Sequence, residues 1–392
     1  MIRRIQSELR RRGFDLCHPI DTSWYNDLIR DEGLIDSGAL HPLPEPPASI
    51  PVPAAHDDDD DCDDDGSGEG EGTTTTSTKT MACCNAILIG NTKGVWPHFL
   101  NWLSSEVDRT REEEDSDAND LPADEKGALG SIIASAPFDT FVVETITRTL
   151  RRCCRRPSSS SDGGDAMSPS SGIDSCELFW SDGGRTSLDV DDRDADDDCD
   201  ERVREDGRSF LVSMTRVATT TGEYWNDVEA TKLCVHPKYG TWTAFRAVVV
   251  FDATGASSVP PPSARPRPSP PPPPCPSPMS TEEIEIAKIA FERALGNSSD
   301  DGGRGYGTTV GKPWEELRDY LHGSTCAGTS WEKVPDDMKP WILLRDCVSA
   351  GRREGWKYDE AQLLYHYTRD REILIAELRR VRAGRRRATE DQ

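Results

Sequence analysis

The chain has 392 residues, a formal net charge of −25 and a hydrophobic content of 35%. Three segments, residues 57–71, 104–126 and 182–206, carry net charges of −10, −7 and −8, so the rest of the chain is close to neutral. Runs of like charge repel each other and stay solvated, so we interpret these segments as insertions and not as a binding face, and they exclude nucleic acid as a partner.

Without these segments and a proline-rich tract, roughly 250 residues remain, which is ample for the core of one large domain. The twelve cysteines include adjacent pairs but no C-x-x-C spacing, and no secretory signal is recognisable. We therefore predict reduced thiols in a cytoplasmic protein, without a zinc site. No apolar run approaches the about 20 residues of a membrane helix, so no membrane association is predicted.

Hydrophobic periodicity predicts a mixture of helices and strands in the first half of the chain. Ile2, Ile5 and Leu9 lie at helical spacing, and Gly13 ends that helix. The aromatic and amide side chains that begin at Trp24 are typical of core and cap positions. Further elements are predicted as a strand at 85–90, a helix at 95–103, a helix at 135–150 and a strand from 176.

One stretch in the second half, residues 233–251, organises the rest of the chain. Pro237 and Gly240 mark a short loop between two segments with strand character, the second rich in β-branched and aromatic residues. Residues 247–251 form an unbroken apolar run, which is typical of a strand covered on both faces. Arg246 stands at the start of this run, and a guanidinium there needs an anionic partner. That partner is either an internal carboxylate or a bound anion.

The last third of the chain is predicted to be mainly helical. Ser280 or Thr281 followed by Glu283 predicts a capped helix start. The glycine-rich residues 302–311 fit no phosphate-binding pattern in a strand–helix setting, so no nucleotide site is predicted there. A final helix is predicted at 369–382.

Two stretches of sequence resemble one known family. Residues 234–249, Cys-Val-His-Pro-Lys-Tyr-Gly-Thr-Trp-Thr-Ala-Phe-Arg-Ala-Val-Val, resemble C-I-H-P-R-F-G-G-W-F-A-I-R-G-V-V of the methylmalonic aciduria and homocystinuria type C protein family. Residues 24–28, Trp-Tyr-Asn-Asp-Leu, are similar to that family's W-Y-N-E-L. The family comprises proteins called cyanocobalamin reductase or alkylcobalamin dealkylase. Weaker likenesses extend along the chain in pieces separated by insertions.

The resemblance implies an α+β fold on a nitroreductase or flavin-reductase-like scaffold, with a central, mostly antiparallel sheet flanked by helices. It implies a single domain over residues 1–382 and a disordered basic tail at 383–392. Disordered insertions are expected within the domain at 56–80, 104–130, 151–175, 182–207 and 255–279.

The resemblance also implies an enzyme that binds cobalamin and removes its upper axial ligand. Alkylcobalamins would be dealkylated by the thiolate of glutathione, and cyanocobalamin would be decyanated by electrons from FAD or FMN, with NADPH as the donor. The cobalt centre does the difficult step and the protein positions the reactants, so no residue is predicted to be catalytic or a metal ligand. A downstream cobalamin-trafficking adaptor is an implied partner, and the chain is expected to be a monomer or a ligand-induced homodimer.

Site residues follow from the same likeness. Glutathione carries two carboxylates, so arginines are the expected anchors. Arg246 matches a family glutathione-binding arginine directly, Arg318 matches a second through a Trp-x-x-x-Arg-Asp spacing, and Arg371 is the nearest candidate for a third. The cobalamin-facing residues would be Ser209, Phe210, Leu211, Val212, Glu223, Tyr224, Trp225, Cys234 and Phe245.

The chain departs from the family pattern at two places. Arg216 stands where the family has a histidine near the cobalt face, and Gly222 and Glu223 replace the first of two adjacent tyrosines. The handling of the axial ligands is therefore expected to differ. Two other functions stay open from the sequence, namely a flavin reductase without a corrinoid substrate and a non-catalytic cobalamin carrier.

Overall fold

The structure is a computed structural model that describes residues 1–45, 84–117, 136–154, 175–189, 210–252, 270–297, 333–353 and 355–390. Its helices, numbered in chain order, are α1 (Ile2–Arg10), α2 (Thr22–Asp31), α3 (Val95–Asp117), α4 (Pro137–Cys154), α5 (Met214–Thr220), α6 (Thr281–Asn297), α7 (Lys339–Asp346), α8 (Ser349–Arg353), α9 (Glu360–Thr368) and α10 (Arg371–Glu390). Its strands are β1 (Leu16–Ile20), β2 (Ala86–Asn91), β3 (Ser175–Trp180), β4 (Arg185–Asp189), β5 (Trp225–Asn226), β6 (Cys234–Val235) and β7 (Ala244–Asp252).

Among the described residues, the central sheet has five strands in the order β1-β2-β7-β3-β4, and each neighbouring pair is antiparallel. The long strand β7 lies in the middle, where Val248 is opposite Leu88 of β2 and Phe179 of β3. A second sheet joins β5 and β6. The predicted α+β fold with a central antiparallel sheet flanked by helices is confirmed, whereas the nitroreductase-like scaffold stays a prediction.

Each face of the central sheet has its own apolar core, because successive side chains of a strand point to opposite faces. Ala247, Val249 and Phe251 pack in a core that includes residues of α1, α3, α4 and α10. Val248 and Val250 pack on the other face with residues of α2 and α5. All five are at most 4% exposed, so the apolar run is buried on both faces, as predicted.

The prediction that residues 233–251 form a pair of neighbouring strands is wrong in its pairing. Both strands exist, but β6 pairs with β5, while β7 pairs with β2 and β3. The turn between them closes through a bridge between His236 and Gly240, and β7 begins only at Ala244. Hydrophobic pattern specifies a strand but not its partner, which is why the sequence was misleading here.

Two of the expected insertions contain regular structure. Helix α3 runs to Asp117 inside segment 104–130, because Val107 is 3% exposed in the core and Arg109 pairs with Glu106 at 2.5 Å. Strand β4 lies inside segment 182–207, where Leu188 is 5% exposed. Acidic composition therefore did not prevent either element from packing.

The boundaries of three other predicted disordered segments also change. Helix α4 continues to Cys154 and β3 begins at Ser175, so both reach into segment 151–175. Within segment 255–279, Met279 is 7% exposed and packs against the core of α6 and α7. Helix α10 extends to Glu390, and Arg385 within the predicted tail donates to Asn101 Oδ1 of α3 at 2.8 Å. Segment 56–80 lies outside the described residues.

The predicted start of α6 and the predicted end of α1 are confirmed. The backbone N–H of Glu283 donates to Ser280 Oγ at 3.2 Å, and the N–H of Ser280 donates to Glu283 Oε2 at 2.8 Å. This reciprocal pair is a capping box at the start of α6. Helix α1 ends before Gly13, which has a φ of +90°.

Candidate functional site

Arg246 owes its position to an irregularity at the start of β7. The register between β2 and β7 shifts between Ile89 and Gly90, so Arg246 has no residue directly opposite it. Such a β-bulge re-aims a side chain. Gly90 permits the close approach of the two strands, because a Cβ at that position would lie 2.8 Å from the carbonyl oxygen of Ala244.

The guanidinium of Arg246 is held by an amide and an aromatic ring. Its Nε donates to Asn91 Oδ1 at 2.7 Å, and its Cζ lies 4.9 Å from the centre of the Phe138 ring. Burial lowers the pKa of Arg246, while Tyr358 and Asp139 act in the opposite direction. Arg246 takes part in no ion pair among the described residues, so the internal carboxylate expected as one of its two partners is not found in this part of the chain.

A second guanidinium, that of Arg345 in α7, ties the helix to the segment that leads into β7. Its Nη2 donates to the carbonyl oxygen of Thr241 at 2.8 Å, and its Nη1 donates to the hydroxyl of Tyr367 at 3.4 Å. Its Cζ lies 4.5 Å from the centre of the Trp242 ring and 5.1 Å from that of Tyr358. Burial acts to lower the pKa of Arg345, but the two tyrosine hydroxyls outweigh it and the pKa is raised.

A third guanidinium comes from Arg369, between α9 and α10. Its backbone is left-handed with a φ of +54°, and its Cζ lies 5.8 Å from the centre of the Tyr365 ring. The charges of Arg369 and Arg345 both lower the pKa of Arg246. Burial, followed by the charges of all three arginines, lowers the pKa of His366 to about 3, so this histidine is neutral near pH 7.

These three residues, Arg246, Arg345 and Arg369, form what we call the arginine cluster. Their like charges repel each other, and the partial burial of Arg246 and Arg345 weakens the screening of this repulsion by water. Asp139 is the carboxylate whose charge reaches Arg246 within the described residues, and none of the three arginines forms an ion pair there. An excess of positive charge with planar donor forks favours an anion that carries carboxylates or phosphates.

The two other arginines predicted as glutathione anchors have different outcomes. Arg318 lies outside the described residues. Arg371 is the first residue of α10 and its side chain is exposed. The structure instead brings Arg345 and Arg369 within electrostatic range of Arg246.

A signal for Arg345 was present in the sequence. The spacing Trp-x-x-x-Arg-Asp that pointed to Arg318 occurs a second time, from Trp341 through Arg345 to Asp346. Arg345 also follows an apolar run, Ile342 to Leu344, as Arg246 precedes one. Arg369 offers no comparable signal, because its left-handed backbone follows from the turn between two helices.

The predicted cobalamin-facing residues lie mostly on the face of the sheet covered by α2 and α5. Val212 and Tyr224 are buried in that core, and Phe210, Cys234 and Phe245 pack against it while partly exposed. The remaining ones are spread more widely: Trp225 packs against the core of α6 and α7, Leu211 is 50% exposed, Glu223 is exposed, and Ser209 lies outside the described residues.

One residue of each predicted set stands at the start of β7: Phe245 is a predicted cobalamin-facing residue, and Arg246 is a predicted glutathione anchor. Phe245 packs on the face that carries Val248 and Val250, whereas Arg246 contacts Phe138, which belongs to the core on the opposite face. Neighbouring residues of one strand thus serve opposite faces. The start of β7 is the position at which the two sets are closest in the chain.

An aromatic and imidazole cluster that the sequence did not indicate lies among the residues predicted to face cobalamin. The Tyr224 ring lies edge-on to His18, His236 and Phe245, with ring centres 5.4, 5.0 and 5.1 Å away. Burial raises the pKa of Tyr224, so its hydroxyl keeps its proton, and this hydroxyl is hydrogen-bonded to Nε2 of His18 at 3.3 Å. Burial, with His236 and Arg10, lowers the pKa of His18 to about 4.

Arg216, which stands in place of the family histidine, forms an ion pair with an internal carboxylate. Its Nε donates to Glu32 Oε2 at 2.7 Å, and the two side chains are 19% and 32% exposed. This pair joins α5 to the end of α2. Arg216 is therefore a bridge between two helices, with its charge already compensated.

Three further features concern metals, membranes and cavities. No group of three side chains able to hold a metal ion occurs in the part of the chain that the structure describes. None of the helices in that part is long and apolar enough to cross a membrane. An open surface cavity of about 630 Å³ lies against α1, lined by Arg3, Gln6, Ser7, Arg10 and Arg11, away from the arginine cluster.

Comparison with known proteins finds similarity among solved structures. No family model and no curated protein matches the chain. Among solved structures, the crystal structure of a C. elegans B12-trafficking protein CblC, a human MMACHC homologue, is similar with 14% sequence identity and a TM-score of 0.39. The match covers 91% of this chain and 97% of that chain. These values are too low to establish membership of a family.

Proposed function

We propose that this chain is a cobalamin-processing enzyme that removes the upper axial ligand of alkylcobalamins by transfer to glutathione. The observation that carries the proposal is the arginine cluster: the charges of Arg345 and Arg369 reach Arg246 at the start of β7, and none of the three forms an ion pair among the described residues. Glutathione offers two carboxylates for such a cluster.

Sequence supports the same substrate. The motif at 234–249 that resembles the cobalamin-processing family contains both Arg246 and the turn at His236. A broad surface with aromatic and backbone groups suits a ligand as large as a corrin. Phe210, Tyr224 and Phe245 supply aromatic rings on that side of the sheet.

The residues divide the work of the proposed reaction. The arginine cluster holds the carboxylates of glutathione, and its positive charge favours the thiolate over the thiol. The thiolate sulfur attacks the alkyl carbon bound to cobalt; the new bond is a thioether, and the electron pair of the broken bond stays on cobalt. Held at the start of β7, glutathione reaches the corrin around the end of that strand. The protein contributes orientation and local concentration.

Reductive decyanation of cyanocobalamin is the second proposed activity. It takes electrons from reduced FAD or FMN, with NADPH as their source, and releases cyanide. It follows from the family resemblance, and we assign no described residue to flavin binding. The flavin-reductase-like scaffold belongs to this part of the proposal.

The decisive experiment follows the absorbance of methylcobalamin under anaerobic conditions with protein, with and without glutathione. We expect conversion of the corrinoid spectrum only when glutathione is present. Corrinoid binding without conversion would identify a carrier, and flavin oxidation without corrinoid affinity would identify a flavin reductase.

The arginine cluster is tested by a matched set of variants. Arg246→Ala, Arg345→Ala and Arg369→Ala should each raise the KM for glutathione by about tenfold or more, since each removes charge-assisted hydrogen bonds. Arg371→Ala, which removes an exposed arginine outside the cluster, should leave the KM within about twofold. Equal loss of corrinoid binding and of glutathione use in Arg246→Ala would mean that Arg246 is structural.

A further inference from the structure

Asn91, the last residue of β2, is 0% exposed and has both ends of its amide engaged. Its Nδ2 donates to the carbonyl oxygen of Thr92 at 2.9 Å, and its Oδ1 accepts from Arg246 Nε at 2.7 Å. A donor on one side and an acceptor on the other fix which way the amide points. The oxygen is therefore held toward the guanidinium.

This contact decides which donors Arg246 has left. A guanidinium has five N–H groups, and Asn91 takes the one on Nε. The Phe138 ring, 4.9 Å from Cζ, restrains the plane of the group. The two terminal nitrogens make the end-on fork that binds a carboxylate through two parallel hydrogen bonds.

The partner of Arg246 is neutral. Two other partly buried arginines pair with carboxylates instead: Arg216 with Glu32 at 2.7 Å, and Arg185 with Glu177 at 2.6 Å. Those carboxylates cancel the charge of the arginine that they hold. An amide holds a guanidinium equally well and leaves its full positive charge for a ligand.

We propose that Asn91 is the positioning residue of the anion site: it orients Arg246 through Nε and, because it is uncharged, sets the affinity of the site for a carboxylate ligand. The identity of that ligand as glutathione rests on the proposed function. The role of Asn91 depends only on its contact with Arg246.

The test is the variant Asn91→Asp, which keeps the size and an acceptor oxygen but adds a negative charge beside Nε. The matched control is Asn85→Asp, which makes the same change at the opposite end of β2. Asn85 directly precedes that strand and is hydrogen-bonded to Thr22 at 3.0 Å. Calorimetry with S-methylglutathione, which keeps both carboxylates and cannot transfer its sulfur, measures binding without turnover. We expect its dissociation constant to rise at least about tenfold in Asn91→Asp and to stay within about twofold in Asn85→Asp. Equal affinity of Asn91→Asp and the unchanged protein overturns the proposal.

A second readout separates this inference from the proposed function. The NMR signal of Arg246 Nε–H, assigned by its loss in Arg246→Lys, is titrated with sulfate and with S-methylglutathione. A shift with sulfate but not with S-methylglutathione contradicts glutathione as the ligand and supports the anion site, provided that Asn91→Asp abolishes the sulfate shift. No shift with either anion overturns both.

The neutral variant Asn91→Ser carries the test if Asn91→Asp does not fold. Serine is smaller and cannot span the distance to Nε, so Arg246 loses its orientation while the site keeps its charge. We expect a smaller rise in the dissociation constant than the added negative charge of Asn91→Asp would give, together with faster hydrogen exchange of Arg246 Nε–H. Unchanged exchange and unchanged affinity overturn the proposal.

Discussion

Asn26 illustrates how a single buried amide holds a loop. Its Nδ2 donates to the carbonyl oxygen of Leu43 at 2.8 Å, and its Oδ1 accepts from the N–H of Leu43 at 2.8 Å. Asn26 is 1% exposed and Leu43 is 2% exposed, so water has little access to these backbone groups. The loop after α2 is thereby fastened to the helix that begins at Thr22.

Replacement of Asn26 should reveal the value of that attachment. Asn26→Ala leaves both backbone groups of Leu43 without their partner, which costs about 2–4 kcal/mol of unfolding free energy. Urea denaturation measures the change. The control is Asn101→Ala on α3, an exposed amide whose removal should cost less than about 0.5 kcal/mol. A loss for Asn26→Ala no larger than that of the control would contradict this account.

Residue-level sequence reasoning succeeded where the signal was local. Arg246 was singled out because a charge beside an apolar run needs a partner, and the structure finds an amide and not a carboxylate in that role. The Trp-x-x-x-Arg-Asp spacing occurs twice, at Arg318 and at Arg345, so this spacing alone does not distinguish the two arginines. Asn91 carried no signal, since its role appears only when β2 and β7 are paired out of register.

At the scale of elements, the turn formed by residues 236–240 contacts α8 through two glycines. Gly240 in the turn has a φ of +61°, and a Cβ there would lie 2.8 Å from the backbone nitrogen of Gly351. A Cβ on Gly351 would lie 2.1 Å from the carbonyl oxygen of Tyr239. The backbones of the turn and the helix therefore touch without side chains between them.

Gly351→Ala should force this contact apart. Because the atom in the way is backbone, the substitution is expected to cost about 1–3 kcal/mol of unfolding free energy. Gly384→Ala is the control in α10, where no atom lies within 4 Å of the added Cβ, so it should stabilise the protein by up to about 1 kcal/mol. Thermal unfolding of both variants distinguishes these effects, and a neutral or stabilising Gly351→Ala would contradict the close packing.

The elements themselves were largely predictable, but their partners were not. Periodicity located α1, α4 and the starts of α3 and α6 within a few residues, since each helix buries one face. It placed β6 and β7 correctly in the chain but paired them wrongly, because pairing depends on contacts distant in sequence. Composition also overstated the disordered insertions, as the buried residues of α3 and β4 demonstrate.

At the scale of the molecule, two partly buried histidines link folding to pH. Burial is the largest cause that lowers the pKa of His18 to about 4 and that of His366 to about 3, from the ordinary 6.5. Each is neutral in the folded chain and becomes protonated more readily when the chain unfolds. Their contribution to stability is therefore intact above pH 6.5 and is lost as the pH falls toward 4.

Acid titration of the unfolding free energy should show this dependence. Each histidine is expected to remove up to about 1.4 kcal/mol per pH unit between pH 6.5 and 4. His18→Gln retains an acceptor for the Tyr224 hydroxyl but cannot titrate, so its stability should fall less steeply over that range. Parallel curves for His18→Gln and the unchanged protein would contradict a partly buried, neutral His18.

The whole-molecule architecture was predictable in its class and not in the arrangement of its sites. The mixture of helices and strands follows from hydrophobic periodicity, whereas the antiparallel central sheet was implied by the family resemblance. The convergence of Arg246, Arg345 and Arg369 depends on how α7, α9 and α10 pack beside β7, which no local pattern specifies. Strand alternation places Phe245 and Arg246 on opposite faces, and the bulge at Gly90 decides which face each of them takes.

The order of strands in the central sheet leaves β1 and β4 as its outermost members. Pro19 lies in β1, and proline has no N–H to offer to an incoming chain. The β1 margin is therefore a poor template for recruiting another strand from a second molecule. Self-association that extends the sheet would have to proceed along β4, on the side remote from the N-terminal strand.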